Sequence, residues 1–239
     1  MNLKKCLLVL VFAPLVAVGS ASAACSNTTV NGVWGFFLGA AVGQFTANGK
    51  GLITAGSATV SNSGTILTIT YTGTYSVAKS CTGSLTLNVN GGGTFTANFV
   101  LDQMNKGVQI IDTVSGTDAP GFGAAEGTGA CGLNGVPKTF ASFLIGKIVA
   151  PNTKVDYVFQ VILDGDGDVT GSGTSDVGGT ITPVELSGTY TEKSDCTGTA
   201  KIKAGTSTLN FNFVVAASGK EIFMIETDSG TSVAGFMLQ

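Results

Sequence analysis

From Leu67 to Val77 the chain alternates without a break. Leu67, Ile69, Tyr71, Gly73, Tyr75 and Val77 share one parity, and Thr68, Thr70, Thr72, Thr74 and Ser76 the other. A period of two places these sets on opposite faces of an extended strand, one buried and one wet. Shorter segments repeat the pattern at Val33–Leu38, Gly43–Ala47, Leu52–Val60, Ser84–Val89, Thr94–Leu101 and Val108–Val114. Between them stand Asn48-Gly49, Asn62-Ser63-Gly64, Asn90-Gly91-Gly92-Gly93 and Asn105-Lys106-Gly107, residues that tolerate the positive φ of tight hairpin turns. Helical periodicity is not sustained anywhere beyond the first twenty or so residues.

The pattern is written twice. Gly73-Thr-Tyr-Ser-Val-Ala-Lys-Ser-Cys-Thr-Gly83 returns as Gly188-Thr-Tyr-Thr-Glu-Lys-Ser-Asp-Cys-Thr-Gly198, with six of eleven positions identical. Cys131 opens the second copy as Cys25 opens the first, and Phe140 stands where Trp34 does. After an insertion around Ala150-Pro151-Asn152-Thr153, the segments Val158–Leu163, Val184–Thr191, Thr199–Lys203, Ser207–Val215 and Glu221–Thr227 match strands of the first copy. Asn98-Phe99-Val100 pairs with Asn212-Phe213-Val214, Ser115-Gly116-Thr117 with Ser229-Gly230-Thr231, and Gly121-Phe122 with Gly235-Phe236. The organisation expected is a leader at 1–23, a first repeat at 24–122, a small-residue linker at 123–130 and a second repeat at 131–239. Seven to eight short strands per repeat, joined as a meander, suit two tandem antiparallel β-barrels, an all-β chain related by internal duplication. Gly73 and Gly188 fall mid-strand on the buried face, where a closing sheet must bend.

Composition narrows the function classes. Lys4 and Lys5, an apolar run from Cys6 to Val18 and Ala21-Ser22-Ala23 form an export signal cleaved after Ala23, which leaves no transmembrane segment and predicts a secreted or periplasmic protein. The remaining chain has ten lysines against fifteen acids, and the whole sequence contains neither arginine nor histidine. A nucleic-acid partner needs a clustered basic footprint, and Ser-His-Asp chemistry or His-ligated zinc needs imidazole. The residues offer none of these, and no cofactor is expected. Alternation of apolar residues at low net charge argues against disorder in a Gly-rich chain.

Four cysteines remain after the leader. In an exported chain disulfides are the default, and the repeat selects Cys25–Cys81 and Cys131–Cys196, one equivalent bond per copy.

Three constellations could carry chemistry. Asp164, Asp166 and Asp168 resemble the first half of an EF-hand calcium loop, but Val169 and Ser175 stand where that loop needs Gly and Glu. The aligned stretch of the first copy, Asn48-Gly49-Lys50-Gly51-Leu52, is a hairpin turn, so a turn is the competing reading. Asp112 aligns with Glu226, each in phase with buried neighbours, and Tyr75 aligns with Tyr190 on the buried face. One reading makes these four a polar anchor for a small apolar ligand inside a barrel. The other places the acids at strand ends, capping the turns that follow. Asn27-Thr28-Thr29 fits a glycosylation sequon.

The Gly-Thr-Tyr…Cys-Thr-Gly stretch, with the Asn/Asp-Gly hairpin before it and the acid-Thr…Ser-Gly-Thr strand after it, resembles a recurring secreted bacterial repeat. Its strand count and order are similar to the allene oxide cyclase and dirigent barrels and, more distantly, the lipocalins. That resemblance implies an eight-stranded barrel with an apolar cavity, and no catalytic residue of the cyclase can be placed on this sequence. Three functions follow as expectations: a non-enzymatic secreted module, structural or binding a small apolar ligand; a cyclase- or isomerase-like enzyme; or one outer-membrane barrel of some sixteen strands. Interior volume separates the first two.

Overall fold

A computed structural model describes residues 24–102, 107–114, 119–127 and 131–239. The leader, Asn105-Lys106, Ser115-Gly116-Thr117 and residues 128–130 of the expected linker lie outside the described residues. Strands β1 (Gly32–Leu38), β2 (Ala41–Ala47), β3 (Leu52–Asn62), β4 (Thr65–Val77), β5 (Thr82–Val89), β6 (Thr94–Asp102), β7 (Gly107–Asp112) and β8 (Pro120–Ala125) form one closed barrel. Strands β9 (Lys138–Ile148), β10 (Thr153–Leu163), β11 (Asp168–Val177), β12 (Thr180–Glu192), β13 (Thr197–Ala204), β14 (Ser207–Ala216), β15 (Glu221–Glu226) and β16 (Thr231–Leu238) form the other. Every pairing is antiparallel, each strand bonds to its sequence neighbours, and β8 closes on β1 as β16 closes on β9. The chain is therefore a tandem duplication of eight-stranded barrels, and the single sixteen-stranded barrel does not form.

Closure explains the mid-strand glycines. A Cβ on Gly73 would strike the Thr86 carbonyl oxygen, and one on Gly188 the Lys201 carbonyl. Gly83 and Gly198 lie under the rings of Phe99 and Phe213, so the Gly of each Cys-Thr-Gly motif vacates space that an aromatic ring fills. The same effect hid β11 from its hydrophobic pattern. Two inward positions there are Gly171 and Gly173, whose added Cβ atoms would strike the carbonyls of Gln160 and Val158. The insertion of the second copy lengthens one hairpin: β9 and β10 span 11 residues each, where β1 and β2 span 7.

One end of each barrel is closed by the segment preceding its first strand. In the first barrel a 3₁₀ turn at Asn27–Val30 buries Val30 against the core. In the second, Leu133 is wholly buried. The expected disulfides tie both segments to the wall, Cys25–Cys81 and Cys131–Cys196, with Cα separations of 4.9 and 5.1 Å. Cys81 and Cys196 both sit in the left-handed region, at φ 66° and 61°, so the two bonds anchor equivalent loops.

The barrels touch along an apolar seam that the hydrophobic pattern did not predict. Phe37, Val42 and Ala124 of the first barrel's outer wall pack against Val214, Ala216, Phe223, Ile225 and Ala234 of the second. The signal was present as broken alternation: Phe213–Ala216 and Ile222–Ile225 are unbroken apolar runs, as strands buried on both faces require. The stretch expected as linker is corrected accordingly. Gly123–Ala125 belong to β8, so the first barrel extends past residue 122. Ala125 and Glu126 accept backbone hydrogen bonds from Ala217 and Ser218 across the seam (2.9 and 3.1 Å), because a strand pinned between two barrels cannot serve as a flexible tether.

Replacing Cys25 and Cys81 together by serine removes a cross-link spanning 56 residues and should lower stability by up to about 4 kcal/mol in the chain-entropy model. Chemical denaturation under oxidising conditions measures the loss. An unchanged midpoint would show that the 3₁₀ turn holds without its cross-link.

Candidate functional site

The interior is the first place to look, since a hollow barrel binds ligands there. Both are filled. Trp34 and Phe45 stack in the first barrel with centroids 6.5 Å apart, and Tyr157 and Phe159 stack in the second at 5.4 Å. The void among Val30, Trp34, Phe45, Tyr75 and Phe99 measures about 20 Å³. Its counterpart beside Leu133, Tyr190, Ala200 and Phe213 measures about 10 Å³. A single water needs roughly 10–15 Å³ by this measure, so neither void admits an organic ligand.

The four candidate pocket residues do not converge. Tyr75 donates its hydroxyl proton to the Asn27 carbonyl (3.0 Å), and Tyr190 donates to the Leu133 carbonyl (3.4 Å). Each tyrosine thus latches the segment that closes its barrel, and Trp34 Nε1 adds a bond to the Val30 carbonyl (3.1 Å). The tyrosines stand near the C-terminal ends of β4 and β12, whereas Asp112 and Glu226 end β7 and β15. Each acid lies three strands from its tyrosine around the wall, in the same cross-strand row, and the two side chains serve different partners.

The aligned acids have diverged. Asp112 accepts from the Val114 backbone N–H (2.6 Å), a turn-capping bond as in the second of the two readings. Glu226 is 3% exposed, and burial, reinforced by the charge of Asp228, pushes its carboxyl up to about 7. Tyr157 is pushed up to about 12 by burial and by the Glu226 charge. Asp164 spends one oxygen on three backbone N–H groups, those of Asp166, Gly167 and Asp168, at 2.8–2.9 Å. These bonds hold its carboxyl below the usual range. Asn48 does the same for Lys50 and Leu52, so the two hairpins are equivalent Asx turns. Among the described residues no three His, Cys, Asp or Glu side chains are grouped to hold a metal ion. Asn27 of the sequon directs Oδ1 to the Val77 N–H (2.8 Å).

Polar chemistry instead gathers at the seam. Asn212 Nδ2 donates to Thr59 Oγ1 (2.9 Å), Ser61 Oγ to the Thr231 carbonyl (2.6 Å), and the Gly230 N–H to the Gly64 carbonyl (2.9 Å). The Gln44 amide donates to Glu126 Oε1 (2.8 Å) and to the Asp195 carbonyl (2.9 Å). Burial, with the Asp195 charge behind it, pushes Glu126 up to about 7. A groove of about 280 Å³ opens beside these groups. Sequence reasoning missed this region because its residues occupy wet-face positions in their strands, and only contact between repeats buries them.

Two outcomes test the interior. Glu226 is raised above its ordinary 4.5, so its ionisation opposes the fold. Stability is full below about pH 4.5, declines as pH rises, and stands lower by about 3 kcal/mol above pH 7. Glu226→Gln should therefore raise the melting temperature at pH 8 and leave it nearly unchanged at pH 4; equal shifts at both would show that burial does not set this carboxyl. Tyr75→Phe should cost about 1 kcal/mol, the net worth of one hydrogen bond, and denaturant titration measures it.

Comparison of the chain with protein-family models, curated proteins and solved structures finds no match. The chain stands as a duplicated pair of closed, eight-stranded antiparallel barrels.

Proposed function

We propose that the chain is an exported, non-enzymatic structural module whose working surface is the outside of its barrels. The observation that carries this reading is the filled interior, with voids of about 20 and 10 Å³. A lipocalin-like carrier role asks for a cavity in the hundreds of cubic ångströms. A cyclase-like role asks for an acid and a tyrosine facing one open chamber, and here the core around them is solid. The pairing of all four cysteines after residue 23 fits an oxidising compartment outside the cytoplasm. The outer face of β4, with Thr68, Thr70, Thr72 and Thr74 exposed, fits contact with water.

Native mass spectrometry of protein purified from its host tests the reading. The expected result is the bare polypeptide mass with two disulfides. A stoichiometric apolar molecule released on denaturation would overturn it.

A further inference from the structure

The seam joins unlike surfaces. The first barrel contributes the outer face of β1–β3, with Phe37, Val42, Gln44 and Thr59; the second contributes the outer face of β14–β16, with Asn212, Val214, Phe223, Ile225 and Phe236. Such a contact is heterologous, and a duplicated chain must then carry each surface twice. The strand registers place the second copies. Phe37 faces Val42 across β1–β2 and Phe122 across β1–β8, just as Phe143 faces Val158 and Phe236. Val42 faces Thr59 as Val158 faces Thr174. On the other surface, Asn98 faces Ile111 and Gln109 faces Phe122, as Asn212 faces Ile225 and Phe223 faces Phe236.

Both second copies are uncovered. Phe37, Val42, Val214 and Ile225 are at most 6% exposed in the seam, whereas their equivalents Phe143, Val158, Val100 and Ile111 are between 41% and 58% exposed. An open groove of about 730 Å³ runs along Val100, Ile111, Pro120 and Phe122. The two bare surfaces begin where the seam ends. Phe122 and Phe143 each pack on Phe236 at its edge, with centroids 5.8 and 6.1 Å away.

We propose that the outer face of β6–β8 on one copy of this chain receives the outer face of β9–β11 on another, repeating the intrachain seam head to tail between molecules. The apolar anchors are retained, and so is the polar pair: Asn98 and Thr174 stand where Asn212 and Thr59 share a hydrogen bond. The replacements set the strength. Gln109 stands for Phe223, Asp102 for Ala216 and Ala141 for Gly35, whose added Cβ would lie 2.8 Å from Val214 Cγ1. The contact between chains is accordingly weaker than the seam and depends on concentration. Geometry permits it. The seam centres on β1–β2 and the receiving face on β7, about two and a half strand positions away in an eight-stranded wall, or roughly 110°. Successive barrels collide only below roughly 60°, so the assembly turns as it grows, into a ring or a helix.

This inference rests on the structural reading above and supplies its partner. The test is sedimentation velocity of the exported chain from about 1 µM to about 1 mM, the range of weak interfaces. Mass should rise with concentration. Ile111→Asp and Val158→Asp, at exposed positions, should each be monomeric alone, yet an equimolar mixture should form a dimer and stop, since each retains one intact surface. Gln109→Phe, which restores the seam's own residue, should tighten association about tenfold or more. A wild-type chain monomeric throughout, a single variant that still associates, or a mixture that stays monomeric would each overturn the proposal. So would a monomer that instead floats with neutral phosphatidylcholine vesicles, which would assign the surfaces to lipid. A ligand found by native mass spectrometry sinks the structural reading whatever the assembly state, whereas an empty monomer sinks this inference alone.

Discussion

An eight-stranded barrel encloses a cylinder only as wide as the side chains that line it, and that limit governs most of this molecule. Where neighbouring strands curve too tightly, as at Gly73 against β5 and Gly188 against β13, no side chain fits. Where they leave room, an aromatic ring lies across a glycine, as Phe99 does over Gly83 and Phe213 over Gly198. One mouth remains, and the segment before the first strand fills it, carrying Val30 or Leu133 inward and exposing its carbonyls to the hydroxyls of Tyr75 or Tyr190. The conspicuous Tyr and Cys of the repeated stretch thus serve closure. One does so by a hydrogen bond and the other by a covalent bond to the same segment.

A core that is full has nothing to offer a ligand, and the chemistry of the chain moves to its outer wall. There the two copies have specialised differently. The outer face of β14–β16 sets Val214, Ala216, Phe223 and Ile225 against the first barrel, while its equivalent on β6–β8 mixes Val100 and Ile111 with Gln109 and Asp102. The seam also holds a half-buried carboxylate, Glu126, between Gln44 and Asp195. Burying such a group without a cation is costly, and the Gln44 amide offsets part of that cost.

Much of the fold was legible because period-two alternation and a repeated motif are both local signals. The seven to eight strands per copy, the meander order and both disulfides followed from Leu67–Val77 and its echo around Cys196. β11 was not legible, since Gly171 and Gly173 erase the inward half of its pattern, and the end of β8 reads as a linker because it is made of Gly and Ala. The site was harder still. Asp112 and Glu226 align in sequence, but only the surrounding walls make one a turn cap and the other a buried acid. The seam consists of residues whose burial depends on a second barrel some hundred positions away, and no local pattern encodes that.

The heterologous seam also has an arithmetic. A chain of such repeats, whatever their number, buries one contact fewer than it has barrels and always ends with one surface of each kind uncovered. Two is the smallest number that buries any contact at all. Each added repeat would dilute the naked ends without removing them, as in solenoids, whose terminal units must be modified to stay soluble. Gln109 and Asp102 on one terminal surface, and Asp176 in place of Ser61 on the other, are modifications of that kind carried part of the way. In this light the duplication is less a doubling of function than a fixing of valence: one junction made permanent by the chain, and two half-capped ends left outside it.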